Sequence, residues 1–193
     1  MIKKLILPFI LLFATFSFAM TKENIQIEMT NKIDKVLLVL KDSNLSKNEK
    51  ANEIISLMNS AFDYTLMSRL SLGKTWKKIS KEERVEFIKV FTQMLKDSYV
   101  DKLDLYTDEL VKIVGTQEPK KNRLILKTQL IGKDAKHDIN YKFYKVKNAV
   151  DTWLIYDIDL IGVSIIKTYQ SQFKGFLKDK TFQELLTHLK TKK

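Results

Sequence analysis

Residues 152–173 read TWLIYDIDLIGVSIIKTYQSQF, and this stretch decides the fold. Its first half carries large apolar or aromatic side chains on both faces of an extended chain, which predicts a buried strand over 152–160. At Gly162 the apolar period changes from two residues to about 3.6, which predicts a helix over 163–177. A strand and a helix therefore meet at a tight turn with apolar side chains facing each other, and the space between them has to be filled.

Outward from this stretch, helical spacing occurs at both ends of the chain and strand spacing occurs in between. The helical segments are 24–41, a segment from the capping box of Ser46 and Glu49 to Gly73, 81–105 and 181–189. The strand segments are 109–114, 123–131, 137–146 and 152–160, with turns around 118–120, 132–134 and 146–148. Because short connections join antiparallel neighbours, these strands are expected to form a meander.

The N-terminus has the pattern of an export signal. Lys3 and Lys4 precede an apolar run over 5–16, and small residues at Ser17 and Ala19 match a signal-peptidase site. Cleavage after Ala19 is therefore expected, leaving residues 20–193 as a single domain. An uncleaved anchor is the alternative, but the apolar run is shorter than the roughly 20 residues that span a bilayer. The chain has no Cys, so a lipidated N-terminus, thiolate metal ligands and thiol nucleophiles are not expected.

The chain is strongly basic, with a formal net charge of +11. Positive charge often indicates nucleic-acid binding, but an exported protein rarely meets nucleic acid, and none is expected as a partner. Anionic lipid surfaces or acidic protein partners fit better. A solvated surface that aids solubility is the plainer interpretation of the same charge.

Catalytic and metal-binding patterns are poorly represented. His137 begins a strand and His188 lies in a basic terminal segment, and both are expected to be surface residues. Asp157 and Asp159 share one face of a strand, which is the arrangement closest to a carboxylate pair, although the solvent side of the sheet or an ion pair with lysines is the plainer interpretation. Two alternatives stay open: a small α+β enzyme with Asp157 as a buried acid in an apolar pocket, and a basic adaptor with a dry core.

Two segments resemble a known family. They are Y-x2-M-x2-L-x-LG-x2-W over residues 64–76 and W-x2-YD-x4-GVS-x4-Y-x2-QF over residues 153–173. Their order and separation are similar to those of the MlaC family, the toluene-tolerance auxiliary proteins of Gram-negative lipid-transport ABC systems. The order of elements, the predicted signal peptide and the basic charge resemble that family as well.

The resemblance implies a soluble periplasmic carrier rather than an enzyme, with no cofactor and with phospholipid as its bound cargo. Its partners would be an inner-membrane complex containing an MCE-domain protein of an ABC transporter and an outer-membrane lipoprotein complex, with transient membrane contact, in a system that maintains outer-membrane lipid asymmetry. The implied fold is α+β, in which N-terminal and C-terminal helices pack on one face of a curved, about four-stranded antiparallel sheet and leave an apolar cavity between.

Family position and apolar pattern together suggest a set of residues for the wall or mouth of that cavity. They are Tyr64, Met67, Leu70, Trp76, Phe91, Leu95, Tyr99, Leu126, Tyr141, Phe143, Trp153, Tyr156, Val163, Ile166 and Tyr169. In this interpretation the strand and the helix of residues 152–173 form opposite sides of the lipid pocket.

Overall fold

A computed structural model describes residues 20–100, 103 and 108–191, and the predicted signal segment 1–19 lies outside these ranges. The helices are α1 (Ile25–Lys41), α2 (Lys47–Asn59), α3 (Tyr64–Leu72), α4 (Lys81–Val100), α5 (Ile165–Phe176) and α6 (Phe182–Thr191), with a 3₁₀ turn over Gly73–Lys77. The strands are β1 (Leu110–Lys120), β2 (Arg123–Ile131), β3 (Lys136–Lys145), β4 (Trp153–Leu160) and β5 (Val163–Ser164). The predicted α+β class and antiparallel meander are confirmed, in the spatial order β1-β2-β3-β4-β5.

The sheet differs from the prediction in two places. It has five strands rather than about four, because the two residues of β5 fold back onto Asp159 and Leu160. The turn expected around 118–120 lies instead at residues 121–122, since β1 continues to Lys120 and pairs with Arg123. Pro119 is tolerated there because β1 pairs only with β2, and an edge strand does not need every N–H group for pairing.

Helix boundaries follow local side-chain chemistry. Ser46 and Glu49 form the reciprocal capping box that opens α2. Asp63 accepts a hydrogen bond from the Leu66 amide at 2.7 Å at the start of α3, and Ser164 accepts one from the Lys167 amide at 3.0 Å. Because Ser164 caps α5, this helix begins two residues later than predicted.

The outer edge of β4 is covered by the segment that precedes α3 and by the start of the described chain. The Trp153 amide donates to the Met20 carbonyl at 2.8 Å, and the Ile155 amide donates to the Ala61 carbonyl at 2.8 Å. The Asp63 amide returns a bond of 2.9 Å to the Ile155 carbonyl. These bonds tie the helical layer to the sheet and leave little of this strand edge unpaired.

The buried side chains form two clusters. The helical cluster joins α3, α4, α5 and α6 around stacked and edge-to-face rings, with Phe87, Phe91 and Phe173 at its centre. The sheet cluster joins α1 to the inner face of the sheet around Trp153 and Phe143. Among the helices described here, none has the length and apolar character needed to cross a bilayer.

Candidate functional site

An open-mouthed cavity of about 320 Å³ lies between the two clusters, and its walls come from α1, α2, α3, the end of α4 and the inner face of the sheet. This volume is within the range of about 300–1,000 Å³ that small-molecule sites occupy. Its lining is almost wholly aliphatic and aromatic. It consists of Ile33, Val36, Leu37, Leu40, Ala51, Ile54, Ile55, Met58, Phe62, Tyr64, Met67, Leu95, Lys96, Val100, Leu103, Val111, Leu130, Tyr141 and Ile158.

Helix α2 contributes an apolar stripe to the cavity, and Met58 is the member of that stripe that also packs against the sheet cluster. Ala51 is its only buried residue, while Ile54, Ile55 and Met58 face the open space. Its attachment is polar, because Lys50 Nζ donates to the Leu40 carbonyl at 2.7 Å across the α1–α2 turn. Lys32 of α1 donates to the Leu57 carbonyl at 2.6 Å near the other end of α2. The helix therefore covers the cavity without filling it.

Three polar side chains interrupt the apolar lining. Tyr141 lies on β3, and burial raises the pKa of its phenol to about 12. Tyr64 opens α3, and burial raises its pKa as well. Lys96 is the only charged side chain in the lining as described, and its ammonium lies 5.3 Å from the centroid of the Tyr64 ring. The cavity is thus a space for an apolar ligand with one cationic point in its wall.

Four of the residues suggested from sequence line this cavity, namely Tyr64, Met67, Leu95 and Tyr141. The others are placed elsewhere. Phe91 and Ile166 are buried in the helical cluster, with Leu70 and Trp76 packed against it, and Leu126, Phe143 and Trp153 are buried in the sheet cluster. Tyr156 lies beside Tyr144 and under the Arg123 guanidinium. Val163 is 60% exposed, and Tyr169 lines a smaller cavity of about 170 Å³. The side chain of Tyr99 is outside the described part of the chain.

The pocket is displaced from the place that residues 152–173 suggested. Helix α5 contributes no residue to the lining, because its apolar face is already occupied by α3, α4 and α6. The opposite wall comes from α1 and α2, whose cavity-facing residues sequence reasoning did not select. Their signal was present as apolar stripes such as Ile54, Ile55 and Met58, but a stripe that faces a cavity has the same spacing as one that faces a core.

Asp157 is buried but does not line the cavity. Its carboxylate accepts hydrogen bonds from Ser164 Oγ at 2.7 Å, the Ile166 amide at 3.1 Å and Lys142 Nζ at 3.1 Å. These partners make it a structural anchor for the N-terminus of α5. The geometry gives no support to Asp157 as an acid in an apolar pocket.

The described residues offer little support for metal binding or for histidine chemistry. Within residues 20–100, 103 and 108–191, no cluster of three His, Asp or Glu side chains could hold a metal ion. His137 and His188 are both exposed, and the ring of His188 stacks on Phe176 at 5.2 Å. The apolar cavity is therefore the feature that calls for a functional interpretation.

Comparison with known proteins gives matches in sequence and in fold. A family model described as MlaC protein matches residues 30–191. The intermembrane phospholipid transport system binding protein MlaC of Haemophilus influenzae is 25% identical over 120 residues, which cover 61% of this chain and 56% of that relative. The matched region thus spans a little over half of that relative's length.

A solved structure shares the fold. The phospholipid-binding protein from Ralstonia solanacearum, determined in complex with a phospholipid, superposes with a TM-score of 0.71 and 18% sequence identity. The match covers 85% of this chain and 93% of that one. At this identity the likeness shows a common architecture.

Proposed function

The chain belongs to the MlaC family, and from this premise we propose that it is a phospholipid carrier that shelters the acyl chains of one lipid at a time in its cavity. Two relatives support the proposal by what they bind. The Haemophilus influenzae protein is named as the binding protein of an intermembrane phospholipid transport system, and the Ralstonia solanacearum protein was solved with a phospholipid.

The observation that carries the proposal is the apolar lining of the cavity of about 320 Å³. A diacyl lipid has on the order of 30 methylene groups, and at about 0.8 kcal/mol each their transfer from a bilayer into water costs roughly 25 kcal/mol. A carrier has to offset most of that cost. Aliphatic walls such as Leu37, Ile54 and Met58 offset that cost for the methylene groups they contact, whereas a polar wall would not.

The proposal also covers the compartment in which the carrier works and the partners it serves. Residues 1–19 direct export, and residues 20–193 act as a single lipid-carrier domain in the periplasm. There the protein moves phospholipid between an outer-membrane lipoprotein complex and an inner-membrane MCE-domain protein of an Mla-type ABC transporter, which maintains outer-membrane lipid asymmetry. Lys3 and Lys4 account for two of the net charges of +11, so residues 20–193 carry +9, which supports transient contact with anionic membrane surfaces. Nucleotide hydrolysis belongs to the transporter, and the carrier itself is not an enzyme.

Purification and lipid extraction test this function. The full chain is expressed with its own N-terminus, recovered from the periplasmic fraction, extracted with organic solvent and analysed by mass spectrometry. About one phospholipid per chain is the expected result. An extract without lipid, from a folded protein that also fails to take up lipid from vesicles in vitro, would contradict the proposal.

A further inference from the structure

Lys96 is placed in the cavity wall in a way that packing alone does not explain. It lies on α4 directly after the buried Leu95, and both side chains line the cavity. Every other lining residue is apolar or a tyrosine. Lys96 is a half-buried residue beside aliphatic walls, and a cation in that position favours any ligand that brings a negative charge close to it.

The ammonium of Lys96 has no described carboxylate within ion-pair distance. The ammonium lies over the ring of Tyr64, 5.3 Å from its centroid. The Tyr64 ring in turn stacks on Phe62, with the two centroids 5.6 Å apart. A ring face attracts the charge but does not take up the three N–H donors of an ammonium. The contact therefore orients Lys96 and leaves its donors available.

The neighbouring lysines differ from Lys96 in this respect. Lys32 and Lys50 also lie beside the cavity helices, but each donates to a backbone carbonyl, of Leu57 and of Leu40 respectively. Burial lowers the pKa of Lys32. Among the described lysines around α1 and α2, these two are thus structural, and Lys96 is the one that faces the cavity.

We propose that Lys96 binds the phosphodiester of the cargo at the rim of the cavity, with its apolar stem along the wall and its ammonium at the polar end of the lipid. This inference rests on the proposed carrier function and adds selectivity to it. A cation that contacts only the phosphate favours phospholipids over diacylglycerol with the same acyl chains. It does not distinguish one phospholipid headgroup from another, because the headgroup lies beyond the phosphate.

Competitive loading tests the assignment. Delipidated full-length protein is incubated with vesicles that contain equal amounts of dioleoyl phosphatidylglycerol, dioleoyl phosphatidylcholine and dioleoylglycerol, then separated and analysed by mass spectrometry. Since a hydrogen bond to a charged group contributes on the order of a tenfold preference, the wild type should retain both phospholipids about tenfold over dioleoylglycerol. Lys96→Gln should bring that ratio close to one, and Lys96→Arg should restore it.

Lys89→Gln is the matched control, because Lys89 lies two turns earlier on α4, is exposed and does not line the cavity. It should leave the ratio unchanged, and thermal melting of each variant checks that the fold is intact. An unchanged ratio in a folded Lys96→Gln variant, or equal retention of dioleoylglycerol by the wild type, would overturn the assignment.

A parallel arm with oleate separates the two sources of anionic oxygen. If the wild type retains oleate in preference to phospholipid and Lys96→Gln abolishes that preference, the ligand is a fatty carboxylate and the phosphodiester assignment is wrong. A wild type that retains no lipid of any kind would contradict the proposed carrier function itself. The two failures are therefore distinct.

Discussion

Lys142 on β3 and Asp157 on β4 form a partly buried ion pair across the sheet, with Nζ and Oδ2 3.1 Å apart. Lys142 also reaches Asp159 Oδ1 at 2.7 Å, so one cation holds two carboxylates. Burial by itself would lower the pKa of Lys142, but the hydrogen bonds to Asp159 and Asp157 outweigh it, and the pKa is raised. Asp157 extends this network to Ser164 and the start of α5.

Asp157→Asn is expected to destabilise the fold and to leave cargo binding unchanged. The substitution removes one of the two carboxylate charges that compensate Lys142 and weakens the anchor of α5, at a cost of about 2 kcal/mol. Thermal melting measures the loss, and extraction with mass spectrometry measures the lipid. Asp159→Asn is the control and should cost less, because Asp159 is more exposed than Asp157. A folded Asp157→Asn protein that had lost its lipid would show that Asp157 acts on the ligand after all.

Ile161→Gly is expected to stabilise the protein. Ile161 has φ of 52° in the β4–β5 turn, a left-handed conformation that a β-branched residue adopts at a cost. Its side chain is 65% exposed, so little packing is lost on removal. The gain should be about 1 kcal/mol, which raises the melting temperature by roughly 2–4 °C.

The adjacent glycine provides the opposite change. Gly162 has φ of 77°, and an added Cβ would meet no other atom within 4 Å, so only backbone strain opposes a side chain there. Gly162→Ala should therefore lower the melting temperature by a similar amount. A melting temperature that falls in Ile161→Gly would mean that the exposed side chain contributes more than its backbone costs.

Leu37→Asp is expected to abolish lipid retention, whereas Leu38→Asp should have little effect. These residues are neighbours on α1, but Leu37 lines the cavity and Leu38 is 68% exposed. A carboxylate in the wall has to be desolvated by the acyl chains, which should reduce retention by more than about tenfold. Mass spectrometry of the two purified variants gives the comparison. Equal lipid content in both would place the ligand somewhere other than this cavity.

Alkaline titration should show tyrosines that ionise late. Burial raises the pKa of Tyr141 to about 12; burial and a hydrogen bond to Asp63 raise that of Tyr144 to about 12 as well. Because both values exceed the ordinary value of 10.0, these groups stabilise the fold below pH 10, and that contribution is lost as the pH rises towards 12.

Absorbance of tyrosinate at alkaline pH measures this directly. Of the seven tyrosines in the chain, the late phase should include these two, and Tyr141→Phe should reduce its amplitude by one tyrosine. Tyr144→Phe should remove one tyrosine from the same phase, because burial and the hydrogen bond to Asp63 raise its pKa to about 12. An unchanged late phase in a folded Tyr141→Phe variant would contradict the placement of Tyr141.

The features that could be predicted from sequence depend on neighbours within a few residues. Ser80 and Glu83 have the capping-box spacing and form that box at the start of α4, with bonds of 2.8 and 3.1 Å, as Ser46 and Glu49 do for α2. Alternation of apolar and polar residues likewise located β3 and its antiparallel neighbours. Each of these signals is local, so the chain itself contains it.

The location of the cavity depends on contacts that are distant in sequence. Helices α2 and α5 both carry apolar stripes, but Phe173 of α5 finds Phe87 and Phe91 at 5.8 Å each, whereas the stripe of α2 meets no comparable partner. The stripe of α5 packs because its rings fit those of α4, and the stripe of α2 is left facing the cavity. Apolar spacing is the same in both cases, so it favoured α5 as a wall of the pocket and gave no reason to select α1 and α2.

The way α2 is attached separates the exchange of cargo from the stability of the fold. The helix is held by its cap, by two lysine–carbonyl bonds and by the packing of Ala51 and Met58, whereas the aromatic rings that dominate the interior lie between other helices. Outward rotation of α2 would open the cavity without exposing those rings to water, and such local openings require less free energy than global unfolding. In the proposed carrier, the rate at which lipid leaves and the temperature at which the protein melts should therefore depend on different parts of the molecule, and substitutions should change one without the other.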